Sequence, residues 1–131
     1  MFLTPSVCIE ILRGRNSALK ARLATKGLNE LVLCSVVWAE LQCGARLAQN
    51  PPQELSRLQD AFGHWPRQPF DDSAAEAYGE IRAHLQRAGR LIGGNDLLIA
   101  AIAHTNRLTL VTHNTGEFTR VPTLPVEDWQ A

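Results

Sequence analysis

The sequence predicts an α/β fold with three layers, in which helices cover both faces of a central, mainly parallel, twisted sheet. Short apolar segments with β-type residues alternate with helical segments along the chain, as in sheets built from right-handed crossovers. The chain has 131 residues, of which 45% are hydrophobic and 20% charged, values typical of a globular protein with one core. Because no repeat or long linker divides it, we predict a single domain over residues 1–131.

Short apolar runs predict the strands. We expect strands within residues 1–7, 31–35 and 108–112. The run at 31–35 is apolar and of β type, which suits a strand covered on both faces. Residues 65–70 contain two prolines, which favours an edge strand or an extended connection. Residues 124–129 are expected to form a last short strand.

Capping residues delimit the predicted helices. Gly14 should end the first helix, Asn16 should cap the second, Ser73 begins a sequence with capping-box spacing, and Asn95 is a competent cap for the most apolar helix. The predicted helices span residues 8–12, 17–26 and 36–48, a segment that begins at the Asn-Pro-Pro sequence 50–52, a segment from 73 to 88, and residues 96–106.

Charge and cysteine content restrict the class of protein. The 13 Lys and Arg residues balance the 13 Asp and Glu residues, which argues against nucleic-acid binding through overall charge alone. Residues 1–30 carry a local excess of basic side chains, either a basic patch or a solvated helix face. Cys8, Cys34 and Cys43 lie in apolar segments without metal-ligand spacing, which predicts buried, reduced thiols. With no signal peptide and no apolar run long enough to span a membrane, we expect a cytoplasmic protein without a membrane partner.

Glu40 is the most informative acidic residue. On a helical projection it shares an arc with Val37, Gly44 and Leu47, so it is predicted to face the core. A buried carboxylate needs a cation, a hydrogen-bond network or a raised pKa. The alternative is a glutamate at the border of the apolar stripe that reaches solvent.

Further acidic and polar residues occupy positions where parallel sheets bind ligands, beyond the carboxyl ends of the strands. Asp96 opens the most apolar helix after two glycines, although an aspartate in a first turn also stabilises the helix dipole. Asn114 and Glu117 follow the strand at 108–112, in a segment that is otherwise an ordinary polar loop. His113 in the same segment offers an acid or a base, although a lone loop histidine more often serves as neither.

Three carboxylates brought to one sheet edge would repel one another, and a divalent cation resolves that repulsion. Oxygen ligands without cysteine or clustered histidine suit Mg²⁺ or Mn²⁺. Such an ion orients a phosphate and lowers the pKa of water. The sequence lacks the Gly-rich lysine motif of P-loop nucleotide hydrolases.

Four ordered motifs stand out along the chain. They are residues 7–15 (VCIEILRGR), 35–41 (SVVWAEL), 92–101 (IGGNDLLIAA) and 110–118 (LVTHNTGEF) followed by RVP at 120–122. Together they resemble the motifs of the PIN-domain nucleases, and specifically of the VapC toxins of bacterial VapBC toxin–antitoxin pairs, and the resemblance covers nearly the whole chain. Any one motif is weakly specific, whereas the ordered set at this spacing is strongly specific.

The resemblance implies an Mg²⁺- or Mn²⁺-dependent endoribonuclease with the PIN-like three-layer fold, which cuts structured RNA, often transfer RNA. It also implies inhibition by a cognate VapB-type antitoxin and assembly as a homodimer. By position, Glu40 and Asp96 would be metal ligands. Asn114 and Glu117 would complete the site, Glu117 as a third carboxylate ligand.

The chain departs from the family pattern at position 4, where Thr4 stands in place of the first metal-binding aspartate. A threonine offers a neutral hydroxyl, and Pro5 removes a backbone N–H beside it. The resemblance therefore implies three carboxylates in place of four and weaker metal binding. Two hypotheses stay open: an active ribonuclease toxin, or a catalytically impaired PIN domain that binds an antitoxin or dimerises. The sequence leaves open whether Thr4 arose naturally or was introduced.

Overall fold

The computed structural model describes residues 1–130 except for the side chain of Leu28, so Ala131, the last residue of the predicted domain, lies outside the described residues. The helices are α1 (Pro5–Arg13), α2 (Ser17–Ala24), α3 (Ser35–Arg46), α4 (Pro51–Phe62), α5 (Asp72–Arg87), α6 (Gly94–Thr105) and α7 (Thr115–Phe118), with a 3₁₀ turn at Leu28–Glu30. The strands are β1 (Phe2–Leu3), β2 (Leu33–Cys34), β3 (Arg67–Gln68), β4 (Leu110–Val111) and β5 (Val126–Glu127).

All strand pairs in the described chain are parallel. One sheet has the order β1-β4-β5 and another the order β2-β3. A parallel bridge between Phe2 and Val32 joins them, and Val32 both donates to Met1 (2.9 Å) and accepts from Leu3 (3.2 Å). The five strands therefore follow the order β3-β2-β1-β4-β5, which confirms the predicted parallel sheet.

Burial of the central strands shows that helices cover both faces of the sheet. Both residues of β1, of β2 and of β4 are fully buried. Because successive strand residues point to opposite faces, a strand buried at consecutive positions must be covered on both sides. Helix α5 packs along α6, while α3 contacts α1, α4 and α6. The predicted three-layer α/β/α arrangement is confirmed.

The strand order creates a topological switch point between β1 and β4. The chain adds β2 and β3 on one side of β1, and then β4 and β5 on the other. In open parallel sheets, the crevice beyond the carboxyl ends of the strands at such a point is the usual ligand site. Thr4 follows β1 and Thr112 follows β4, so the residues after these strands lie at that crevice.

The first helix begins earlier than predicted. The first strand ends at Leu3, and α1 begins at Pro5 rather than at residue 8. Proline fits the first position of a helix, where its missing N–H has no intrahelical partner to lose. Gly14 ends this helix in the left-handed conformation (φ 66°), and the Asn16 side chain accepts from the Leu19 N–H at 2.9 Å, as predicted.

Two predicted caps are wrong. The Asp71 side chain caps α5 by accepting from the Ala74 N–H at 2.9 Å, and Ser73 lies inside the helix. Asp71 has the extended backbone that a capping residue needs (φ −93°, ψ −174°). Helix α6 begins at Gly94 with Gly93 at the cap position, so Asn95 is already helical. In both cases the helix starts before the first apolar residue of its stripe.

Three further sequence expectations concern the exposure of the cysteines, the loop after β4 and the length of the apolar helices. Cys8 and Cys34 are buried free thiols as predicted, but Cys43 is exposed, because the buried face of α3 runs through other positions. Residues Thr115–Phe118, predicted as loop, form α7, a helix too short for periodicity to reveal. Along the described chain, no helix is long and apolar enough to cross a membrane.

The corrected cap of α5 leads to a stability prediction. We expect Asp71→Ala to lower the free energy of unfolding by about 1 kcal/mol, because the Ala74 N–H loses its acceptor. Ser73→Ala, in the same helical turn, should be nearly neutral because alanine is a good helix former. Urea unfolding followed by circular dichroism measures both. Equal losses for the two variants would contradict Asp71 as the cap.

Candidate active site

Asp96 and Glu117 form a carboxylate pair at the carboxyl edge of the sheet. Asp96 lies in the first turn of α6 and is half-buried, while Glu117 lies in α7 just beyond β4. Their side chains are within hydrogen-bonding distance, and the charge of Glu40 on α3 also acts on Asp96. The structure thus brings the predicted residues Asp96 and Glu117 into contact, with Glu40 nearby.

The electrostatics of this pair are unfavourable for two ionised carboxylates. Burial, the hydrogen bond with Glu117, and the charges of Glu117 and Glu40 raise the pKa of Asp96 from its ordinary value of 3.8 to about 7. Each of these causes disfavours the ionised form. Perturbed pKa values of this kind are typical of functional sites.

Asn114 holds Glu117 in place. Its side-chain amide donates to the Glu117 carboxylate at 3.1 Å. Its own backbone N–H donates to the Thr112 hydroxyl at 3.0 Å, and Thr112 is buried at the end of β4. Thr112 was not among the predicted site residues, although a hydroxyl two residues before the bonded N–H is a recognisable turn signal. The turn therefore places both Asn114 and Glu117 at the edge of the sheet.

Glu40 lies at the border of the apolar stripe, which is the alternative to the predicted core-facing position. The buried residues of α3 are Val37, Leu41 and Ala45, and Leu47 is 81% exposed. The core-facing arc is therefore centred about 100° away from Glu40, given the helical repeat. The half-buried Glu40 also lines a cleft of about 390 Å³ between α1, α3 and α4, together with Pro5, Ile9, Leu12, Arg13, Leu41, Gly44, Ala45, Glu54, Arg57 and Leu58.

Thr4 lies at the switch point but supplies no charge. It is 2% exposed, and its hydroxyl donates to the Val111 carbonyl at 3.0 Å. The same hydroxyl is 3.4 Å from the Ser6 hydroxyl. The side chain therefore tightens the contact between β1 and β4, in the position where the family resemblance implies an aspartate.

Arg120 connects the two acidic segments. Its guanidinium donates to the Leu91 carbonyl at 3.1 Å, which ties the residues after α7 to the loop before α6. Its Nε atom is buried and has no hydrogen-bond partner among the described residues. The sequence motif that contains Arg120 does not predict this structural role.

The carboxylate oxygens at this edge are of the type that binds a divalent cation, but the three carboxylates are not gathered around one point in the described residues. Five ion pairs occur across residues 1–130, and none of them involves Glu40, Asp96 or Glu117. In the same residues, no group of three or more His, Cys, Asp or Glu side chains is arranged closely enough to hold a metal ion. The site therefore offers a closely spaced pair of carboxylates plus a nearby third, with their negative charge uncompensated by Lys or Arg.

The raised pKa of Asp96 predicts a pH dependence of stability. The folded state binds a proton that the unfolded state has already released between pH 3.8 and about 7. Stability of the metal-free protein should therefore fall as pH rises through that range. In Asp96→Asn, which cannot ionise, this decrease should be smaller. Thermal unfolding in EDTA across the pH range measures the effect.

Asp60→Asn serves as the control for this measurement. Asp60 is exposed on α4, so its substitution should leave the pH profile of the native sequence unchanged. Mn²⁺ added at neutral pH should raise the melting temperature of the native sequence more than that of Asp96→Asn. Parallel pH profiles for all three proteins would contradict the electrostatic interpretation of Asp96.

The sequence and the fold are both similar to those of known proteins. Residues 1–124 match the PIN domain family. The chain is 39% identical over 101 residues to Ribonuclease VapC2 of Rickettsia felis, covering 77% of this chain and 75% of the relative. It is 35% identical over 129 residues to the tRNA(fMet)-specific endonuclease VapC of Shigella flexneri, covering 97% and 96%.

A solved structure, VapBC2 of Rickettsia felis bound to a DNA fragment from its promoter, superposes with a TM-score of 0.88 at 32% identity, covering 98% of this chain and 97% of that one. The family resemblance inferred from the four sequence motifs is thereby confirmed. That the whole chain forms one domain stays a prediction, because the family match ends at residue 124. The chain belongs to the PIN-domain family.

Proposed function

We propose that this chain is the toxin of a type II toxin–antitoxin pair and that it acts as a metal-dependent endoribonuclease. The observation that carries the proposal is the Asp96–Glu117 carboxylate pair, which no cationic side chain neutralises in an ion pair within the described residues. Relatives that match most of the chain are named ribonucleases, which supports this assignment.

The site residues have two proposed roles. Asp96, Glu117 and Glu40 would hold Mg²⁺ or Mn²⁺, and Asn114 would orient Glu117 through the amide bond described above. When bound, such an ion lowers the pKa of water and offsets the charge of a phosphate. The half-buried setting of Asp96 strengthens electrostatic interactions there by partly excluding water.

The proposed substrate is structured RNA, with transfer RNA as the first candidate. A relative from Shigella flexneri and another from Salmonella typhimurium are each named as tRNA(fMet)-specific endonucleases. The proposed inhibitor is a VapB-type antitoxin, since similar solved structures are VapBC complexes. We also propose assembly as a homodimer and a cytoplasmic location, as the family resemblance implies.

Cleavage of RNA tests the proposal directly. The purified chain should cleave transfer RNA in the presence of Mn²⁺, and EDTA should abolish cleavage. Asp96→Asn should reduce the rate by at least about 100-fold, because loss of a partner that only orients a metal ligand costs about 10- to 100-fold. Gel electrophoresis of end-labelled RNA gives the rates.

The matched control is again Asp60→Asn, the same chemical change at an exposed position of α4, which should cleave at the native rate. Equal cleavage by the native chain and by Asp96→Asn would contradict the assignment of the activity to this carboxylate site. Absence of cleavage by the native chain with every RNA tested would overturn the nuclease proposal.

A second candidate function rests on Thr4. Its hydroxyl is occupied by the Val111 carbonyl and carries no charge, which favours a catalytically impaired PIN domain that still binds an antitoxin or dimerises. The names of the relatives favour the active nuclease instead. The two candidates differ in what restoration of an acidic residue at position 4 would do.

Thr4→Asp should strengthen metal binding and lower the free energy of unfolding of the metal-free protein. We expect Mn²⁺ affinity to rise about tenfold, as is typical for changes around a metal ligand set. Without metal, the loss of the hydroxyl donor and the buried new carboxylate should cost about 2 kcal/mol of unfolding free energy. Isothermal titration calorimetry and urea unfolding measure the two effects.

The neutral variant Thr4→Val separates the effect of packing from that of charge, since it should be destabilised without any gain in metal affinity.

Toxicity on expression decides between the two candidate functions. If Thr4→Asp creates toxicity while the native chain is harmless, the impaired-domain hypothesis holds. If the native chain is already toxic and Thr4→Asp adds nothing, the active-nuclease proposal holds.

A further inference from the structure

Selectivity for RNA needs a contact that the carboxylates do not supply. At a carboxylate site, water is the nucleophile for phosphodiester hydrolysis, so the ribose 2′-hydroxyl is not consumed in the reaction. The bond that forms joins the water oxygen to phosphorus, and the bond that breaks joins phosphorus to the leaving oxygen; the attacking water gives up a proton, and the leaving oxygen takes one up. A protein distinguishes RNA from DNA by contacts to the 2′-hydroxyl, which is both a donor and an acceptor.

His113 and Asp128 form a hydrogen-bonded pair in the segments that follow the neighbouring strands β4 and β5. The Nδ1 atom of His113 is 3.1 Å from one Asp128 carboxylate oxygen and 3.3 Å from the other. Asp128 is itself held, because one of its oxygens accepts from the Gln130 N–H at 2.9 Å. The His113 side chain is 61% exposed and the Asp128 side chain 22% exposed, so a ligand can reach the imidazole while its partner is partly sheltered.

The pair lies at the same edge of the sheet as the carboxylate site. His113 follows β4 and directly precedes Asn114, and Asp128 follows β5, the neighbouring parallel strand. Neighbouring strands are about 4.8 Å apart. Along this edge the order is Glu40 after β2, Thr4 after β1, Glu117 after β4, and then the His113–Asp128 pair. A nucleic-acid strand that lies across the carboxylates toward β5 therefore meets the imidazole.

The chemistry of the pair determines what His113 presents. An ionised carboxylate only accepts hydrogen bonds, so Nδ1 of His113 must carry the proton that is shared with Asp128. In the neutral imidazole, Nε2 is then an acceptor. A 2′-hydroxyl can donate to that atom, whereas the hydrogen at the 2′ carbon of deoxyribose cannot.

We propose that His113, oriented by Asp128, accepts a hydrogen bond from the 2′-hydroxyl of a nucleotide bordering the scissile phosphodiester and thereby favours RNA over DNA. This inference rests on the proposed nuclease function and deepens it. His113 is the specificity-determining residue, and Asp128 is a positioning residue that acts through the imidazole.

Binding of matched oligonucleotides tests the inference. The probes are a short single-stranded RNA of mixed sequence and its 2′-deoxy and 2′-fluoro versions, labelled with fluorescein, with Ca²⁺ replacing Mg²⁺ to slow cleavage. A 2′-fluoro sugar keeps the RNA-like ring conformation but cannot donate. At about pH 8, where ordinary imidazoles are neutral, the native chain should bind RNA about three- to tenfold more tightly than 2′-fluoro RNA, the range of one neutral hydrogen bond.

His113→Ala should remove this preference by weakening RNA binding while leaving 2′-fluoro RNA and DNA binding unchanged. Asp128→Asn should also reduce it, because an asparagine amide can donate to Nδ1 and turn Nε2 into a donor. His64→Ala is the matched control, since exposed His64 precedes β3 and therefore lies at the opposite edge of the sheet. It should bind all three probes as the native chain does.

A preference for RNA that survives in His113→Ala would overturn the inference. Equal weakening of the binding of all three probes in His113→Ala would also overturn it, as would a native chain that binds none of them. Failure of the nuclease proposal is a different result. A chain that cleaves no RNA, yet loses its hydroxyl preference in His113→Ala, would retain the recognition role of His113 without the catalytic activity.

Discussion

Parallel pairing of β1 with β4 is the constraint on which the rest of this structure depends. The two strands are buried on both faces, so their pairing can be covered only by helices above and below the sheet. Together with the other parallel pairs, it places the carboxyl ends of all five strands at one edge. Segments that are distant along the chain therefore reach a common crevice, and the acidic residues gather there as a consequence of topology.

The crevice concentrates charge at a cost to the folded state. Asp96 is placed by the first turn of an apolar helix, and Glu117 is placed by a short turn that Thr112 and Asn114 hold. Neither carboxylate has a cationic side-chain partner in the described chain. Such a like-charge arrangement is retained in proteins where it serves a ligand. The uncompensated negative charge of the carboxylates favours binding of a cation. Membership of the PIN-domain family connects such a site with RNA cleavage.

Position 4 lies at the centre of the crevice, and it departs from the family pattern, which has an aspartate there. Thr4 satisfies the Val111 carbonyl and is buried, so it strengthens the β1–β4 contact rather than adding negative charge. The site consequently combines a well-ordered fold with fewer acidic groups than the family pattern implies. On the β5 side, the His113–Asp128 pair adds a polar contact surface that differs in chemistry from the carboxylates.

The sequence by itself determined the class of fold and the parallel sheet, and it predicted which acidic residues belong to the site, because apolar runs, caps and ordered motifs depend on local chemistry. It failed where a helix starts ahead of its apolar stripe, as at Asp71 and Gly93, because backbone conformation decides between candidate caps two residues apart. Tertiary structure alone decided the contact between Asp96 and Glu117, the border position of Glu40 and the pairing of His113 with Asp128. These depend on strand order and on which face of each helix packs inward, and both are set by burial across the whole sheet.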